Sequence, residues 1–307
     1  MEVVPYLGHS IRRWQIGSAT FLAWPEAGAR LMHWSLTRGD GSVREVIHWP
    51  ELPVDPTELA KIRGGNPILF PFCGRVFADG TKHAWLDPKG VRRPMPMHGF
   101  ARQGRFKIAE IHESGFDAVL EPDAAAQEAY PFEYEFEVCY RFAALRLACE
   151  FVLTNLGSEP IPWSAGHHFY FAVPWTDLHR RQDYTLHLKA ARTARQDAQG
   201  ALVEGPSLPG SPSLANPELI DAIHLQLREQ DCSFGPADES EQVTVRIGTR
   251  AKPAPDLAFV TWTESETSPF YCVEPWMGPP NAPEHKQGLH WVSPGQTQRF
   301  CVEVLVQ

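Results

Sequence analysis

Residues 132–154 read FEYEFEVCYRFAALRLACEFVLT, and their spacing decides the fold. Phe132, Tyr134, Phe136, Val138, Tyr140 and Phe142 alternate with Glu133, Glu135, Glu137, Cys139 and Arg141. Past two alanines, Leu145, Leu147, Cys149, Phe151 and Leu153 alternate with Arg146, Ala148, Glu150, Val152 and Thr154. A period of two puts the first set on one face of a strand and the second on the other. Two such runs in succession predict an antiparallel hairpin with one buried face. Ala143-Ala144 is a poor turn pair, so the pattern leaves the turn itself open.

Working outward, the same kind of segment recurs. FLAWP, ARLMHWSL, REVIHW, YTLHLK, VTVRIG, LAFVTWT and RFCVEVLV are short, rich in β-branched and aromatic residues, and separated by turn formers. The 28 prolines and 23 glycines fit many turns between short strands. Helical signals are few. DPTELAKIR, 55–63, predicts one short helix with Asp55 as N-cap and Pro56 at the first position. The expected fold class is all-β, a large antiparallel β-sandwich or barrel with few short helices. Residues 192–217 form the longest irregular stretch. Strand candidates of one type flank it, so we read it as a loop within a single domain spanning 1–307.

Composition narrows the function. Of the 307 residues, 43% are hydrophobic and 21% charged, as in a soluble globular protein with a substantial core. The formal net charge is −9 and no basic run appears, which argues against a nucleic-acid partner. No apolar run reaches the ~18 residues of a membrane span. The start, MEVVPYLGHSIRRW, lacks the pattern of a secretory signal. The six cysteines are dispersed without a CxxC, so we expect reduced thiols and a cytoplasmic location. The expected assembly is a monomer or homodimer.

Four stretches concentrate polar groups among aromatics: RGGNPILFPFCGRVFADG (63–80), MHGFARQGRF (97–106), WSAGHHFYFAVPW (163–175) and FYCVEPWMGPPNA (270–282). Gly64-Gly65 lacks the GK[ST] ending of a phosphate-binding loop. His167 and His168, adjacent on a strand, point to opposite faces and cannot share a metal without a bulge. No zinc motif supplies further ligands, so no metal and no cofactor is expected. The same alternation puts His168 beside Tyr170, and His167 beside Phe169 and Phe171. No G-x-S-x-G elbow is present. Glu274 closes an apolar strand, where burial would raise its pKa.

Taken together and in order, these stretches resemble the aldose 1-epimerase (galactose mutarotase-like) family. The matching elements are Gly-Gly-x-Pro…Gly-Arg at 64–75, His-Gly-Phe-Ala-Arg at 98–102, His-x-Tyr-Phe at 168–171 and Val-Glu-Pro-Trp at 273–276. The His-Gly-Phe-Ala-Arg and Glu-Pro-Trp forms resemble those of a bacterial branch whose sugar preference varies. The resemblance implies a large β-sandwich that interconverts the anomers of an aldose without a cofactor. It implies His168 as general acid and Glu274 as general base, with Arg75, His98 and Asp221 holding sugar hydroxyls. Trp276 or Phe100 would stack on the sugar's apolar face. Gly74 stands where many galactose mutarotases carry asparagine. Proton exchange at a hemiacetal needs one acid and one base; an imidazolium beside a carboxylate is the expected resting pair. Two alternatives remain open: a hexose-6-phosphate epimerase with Arg92, Arg93, Arg102 and Arg105 gathered on the phosphate, and a non-catalytic sugar-binding sandwich.

Overall fold

The structure is a computed structural model that describes residues 1–51, 55–248 and 252–307. The 132–154 alternation becomes strands Tyr134–Ala143 and Arg146–Asn155, paired from Tyr134↔Asn155 to Ala143↔Arg146. The turn is therefore Ala144-Leu145. Phe136, Val138, Tyr140, Leu147, Phe151 and Leu153 all face the core.

Among the described residues, nineteen strands join in one network whose ladders are all antiparallel. Two runs of strands make the layers of the sandwich. One passes from the N-terminal hairpins through Arg30–Thr37 and Val43–Ile47 to Phe169–Ala172, Phe270–Trp276 and Ala258–Trp262. The other passes from Arg105–His112 through the 134–155 hairpin to Thr297–Val306 and Val243–Ile247. Both end on the fifteen-residue strand Ala222–Pro236. Its first residues pair with Ala258–Trp262 and its later ones with Val243–Ile247, so a single strand ties the layers together. One continuous core lies between them, with residues from Trp14 to Val306.

Two expectations need correction. The 55–63 segment is not an α-helix. It forms 3₁₀ turns over Pro56–Lys61, broken at Glu58 (φ −112°, ψ 41°). The buried Arg30 guanidinium takes the Leu59 and Gly64 carbonyls, at 3.1 and 2.9 Å, and draws this segment onto the sheet. The 192–217 stretch is not all loop. Strand Tyr184–Gln196 runs into it and pairs with Leu202–Glu204 across an Asp197-capped turn. From Lys189 to Gln196 its side chains are polar or small on both faces, which hid the alternation there. Among the described residues, no helix is long and apolar enough to cross a membrane.

Candidate active site

Strand register builds the centre of the site. Gly166 pairs with Trp276 and Phe169 with Val273, so His168 stands directly across from Glu274. The distance between His168 Nε2 and Glu274 Oε1 is 3.5 Å. Alternation sends the two neighbouring histidines apart, as the sequence predicts. His167 enters the core and stacks on Phe151, with ring centroids 4.1 Å apart. His168 emerges on the outer face of the sheet and stacks on Tyr170, at 4.7 Å and 9° between planes.

Asn66, from the Gly-Gly-Asn-Pro stretch, fixes both histidines. Its Oδ1 accepts the His168 backbone N–H at 3.1 Å. Its Nδ2 donates to Tyr140 Oη at 2.7 Å and lies 2.9 Å from His167 Nδ1. Asn66 is fully buried. The glycines before it give the close approach this requires. Gly65 has φ +72°, and a Cβ there would lie 2.2 Å from the Leu31 carbonyl oxygen.

The loop at 97–106 adds His98. His98 donates its backbone N–H to Gly74 O at 2.8 Å and accepts the Gly74 N–H on Nδ1 at 3.1 Å. Nδ1 is thus an acceptor, and the ring N–H sits on Nε2. The ring centroid lies 5.5 Å from that of His168 and 5.8 Å from that of Trp276. Gly74, the departure from the family pattern, has a local reason. It has φ +69°, and a Cβ would lie 2.4 Å from Pro280 Cβ.

His168, Glu274, His98, Arg75, Asp221 and Trp276 all line one pocket of about 530 Å³. Phe100 does not. It packs edge-on against Phe70, in the core, and the second pocket aromatic is Trp262. The arginine cluster anticipated for a phosphate is not formed by Arg92, Arg93, Arg102 and Arg105 together. Arg92 pairs with Asp79, Arg93 with Asp87 and Arg105 with Glu121. Only Arg102 reaches the pocket, where it meets Arg63 and Arg75. Among the described residues, Arg75 and Arg102 pair with no carboxylate, whereas Arg63 leans on Glu264 at 3.3 Å. Arg63, Asn66 and Trp262 escaped the sequence reading. The alternation of Val260 and Trp262 in LAFVTWT was the available signal for the tryptophan.

The charges of the pair differ from the expectation. Burial pushes Glu274 well above the usual carboxylate range, and the nearby Asp221 pushes the same way. Burial pulls His168 down to about 3, with Arg102 and Arg63 adding to the effect. These surroundings favour a protonated carboxyl beside a neutral imidazole rather than an imidazolium beside a carboxylate. The proton count of the pair is unchanged; its location is not. Glu274 Oε2 and His168 Nδ1, both buried, have no hydrogen-bond partner in the protein. Such a set can exchange protons with a polyhydroxylated ligand whose own hydroxyls satisfy the spare atoms.

The sequence model of the family described as aldose 1-epimerase matches residues 14–218. Protein LacX (chromosomal) of Lactococcus lactis subsp. lactis is 27% identical over 236 residues, 70% of this chain and 74% of its own. Among solved structures, the Slr1438 protein of Synechocystis sp. PCC 6803 is similar at TM-score 0.80 and 23% identity, over 97% of this chain and 95% of that one. A galactose mutarotase related enzyme from Lactobacillus acidophilus is similar at TM-score 0.74 and 19% identity, over 97% of each chain. The family match covers the loops that carry Arg75, His98 and His168, and with the galactose mutarotase-like sandwich it makes this chain a member of the aldose 1-epimerase family.

Proposed function

We propose that the protein is a mutarotase, interconverting the α and β anomers of an aldose by opening and reclosing the ring. The observation that carries this reading is the 3.5 Å apposition of His168 Nε2 and Glu274 Oε1 in the pocket. A hemiacetal carbon bears its hydroxyl and its ring oxygen side by side, within reach of two groups at that separation. Glu274 takes the proton of the anomeric hydroxyl while His168 protonates the ring oxygen. Rotation about the bond to the freed aldehyde exposes its other face, and the two transfers reverse. A sugar hydroxyl donating to Glu274 Oε2 stabilises the carboxylate, and so brings the pair's proton onto His168. The His98 Nε2–H and Arg75 are donors to the sugar, Asp221 is an acceptor, and Trp276 offers its face to the C–H surface. We also read the whole chain as one domain, because its core runs unbroken from Trp14 to Val306.

A second reading, that the aldose is phosphorylated, is favoured by one feature. Arg63, Arg75 and Arg102 line the same pocket, and guanidinium groups suit bidentate phosphate contacts.

Polarimetry of freshly dissolved α-D-glucose, α-D-galactose and glucose 6-phosphate tests both. Wild type should accelerate mutarotation, and His168→Asn or Glu274→Gln should each lose roughly 10²–10⁴-fold of that acceleration. A clear preference for the phosphorylated sugar selects the second reading. Sugar binding without acceleration would identify a non-catalytic sandwich instead.

A further inference from the structure

The proposed reaction leaves one group beside the pair without a role. Cys272 lies two residues before Glu274 on strand Phe270–Trp276, hence on the same face, and its cross-strand partner is Tyr170. One donor atom from each of His168, Cys272 and Glu274 lies within 4.8 Å of the other two, and all three residues are buried. The geometry points to a binding site for Zn²⁺ or a similar first-row divalent cation on His168, Cys272 and Glu274, occupied in competition with the sugar.

Several observations support this site. The donor set is one nitrogen, one sulfur and one oxygen, which together suit Zn²⁺ better than a hard cation. Bond lengths of about 2.0–2.3 Å around a tetrahedral ion put its donors about 3.3–3.8 Å apart, and the His168–Glu274 separation of 3.5 Å already falls there. His168 and Glu274 also line the pocket, so the fourth position faces the space a sugar would use. Finally, Glu274 Oε2 and His168 Nδ1 are buried polar atoms without a protein partner, so these side chains are short of bonding partners before any ligand arrives.

The neighbouring arginines argue against an isolated cation, but not against this one. Burial keeps both the Cys272 thiol and the Glu274 carboxyl protonated, and ligation releases the two protons to solvent. A thiolate and a carboxylate together cancel the charge of a divalent ion. The loaded site thus adds no net charge beside Arg63 and Arg102. The other acidic clusters differ: Asp117, common to both, is already gripped by Arg141 through two hydrogen bonds of 2.5 and 2.8 Å.

Spectroscopic titration of the full-length, chelator-treated protein with Co²⁺ tests the site without any assumption about the sugar. Wild type should develop a thiolate-to-cobalt charge-transfer band that Zn²⁺ abolishes, and Cys272→Ala should lack it. The competition with sugar rests on the mutarotase reading. If that reading holds, Zn²⁺ should inhibit mutarotation, and Cys272→Ala should keep the metal-free rate while needing at least ~10-fold more Zn²⁺ for the same inhibition. Absence of the band in wild type, or an equal band in Cys272→Ala, would overturn the site. Equal zinc sensitivity of the two proteins would overturn the competition, as would loss of activity on chelation with recovery on adding Zn²⁺. Should no sugar be turned over, the cobalt spectrum still decides the site.

Discussion

At the scale of the residue, one proton held between His168 and Glu274 sets the pH response. The two groups titrate as a pair, so the apparent values belong to the pair. Gaining a second proton requires charging His168, whose pKa burial has pulled down to about 3. Losing the only proton requires ionising Glu274, whose pKa burial has pushed well above the carboxylate range. The single-proton form therefore spans the range between the depressed histidine value and the raised carboxyl value. The enzyme-dependent rate of mutarotation, corrected for the buffer rate, should show no acid limb at the ordinary histidine value of about 6.5. It should fall on the alkaline side as the pair empties. A rate that instead drops with acid at an ordinary histidine value of about 6.5 would mean that His168 is neither desolvated nor coupled to Glu274 in the working enzyme.

At the scale of the element, register does what no single motif can. The Val-Glu-Pro-Trp and His-His-Phe-Tyr stretches are more than a hundred residues apart, and only antiparallel pairing brings Glu274 opposite His168. Asn66 then pins the short break between strands Gly166–His167 and Phe169–Ala172, where His168 sits. Asn66→Leu would leave the His168 N–H and His167 Nδ1 without their partner. Each orphaned buried group costs about 1–3 kcal/mol. The variant should unfold at markedly lower urea concentration and, where folded, lose rate more than sugar affinity. An unchanged midpoint and an unchanged kcat would show that Asn66 does not hold His168 in place. The same scale explains what could be read in advance. The 134–155 hairpin was legible because its two faces meet different surroundings, core and solvent, and alternation records that difference. The face carrying His168, Cys272, Glu274 and Trp276 was legible as strand but not as pocket, since strand pairing at long sequence separation leaves no local mark. The phosphate arginines were misplaced for a similar reason. Arg92, Arg93, Arg102 and Arg105 are close in sequence, but Arg105 belongs to a strand edge and the Arg92-Arg93 pair to a separate small hairpin. Arg63 and Arg75, outside that stretch, line the pocket with Arg102.

At the scale of the whole molecule, the sandwich holds buried and half-buried histidines neutral, and this governs its stability in acid. His33 and His224 are pulled down to about 4 and His167 to about 3, in each case chiefly by burial. In the unfolded chain these imidazoles regain a pKa near 6.5. Between that value and their depressed folded values, the unfolded state binds more protons than the native state, so stability falls as pH falls. At pH 5 each histidine that stays neutral in the fold costs roughly 2 kcal/mol of stability relative to pH 8. Glu274 acts in the opposite sense. Its raised pKa means that the native state holds a proton the unfolded chain has released, so its contribution weakens as pH rises above the ordinary carboxylate value. Three histidines outweigh one carboxyl across pH 5–8. Urea midpoints should therefore be clearly lower at pH 5 than at pH 8. Replacing His224, whose Nε2 lies 3.0 Å from the Thr261 hydroxyl, by glutamine should reduce that difference by about one histidine's share. A midpoint independent of pH over this range would show that the core histidines are protonated in the fold, and would reverse the charge assigned to His167 between Phe151 and Phe300.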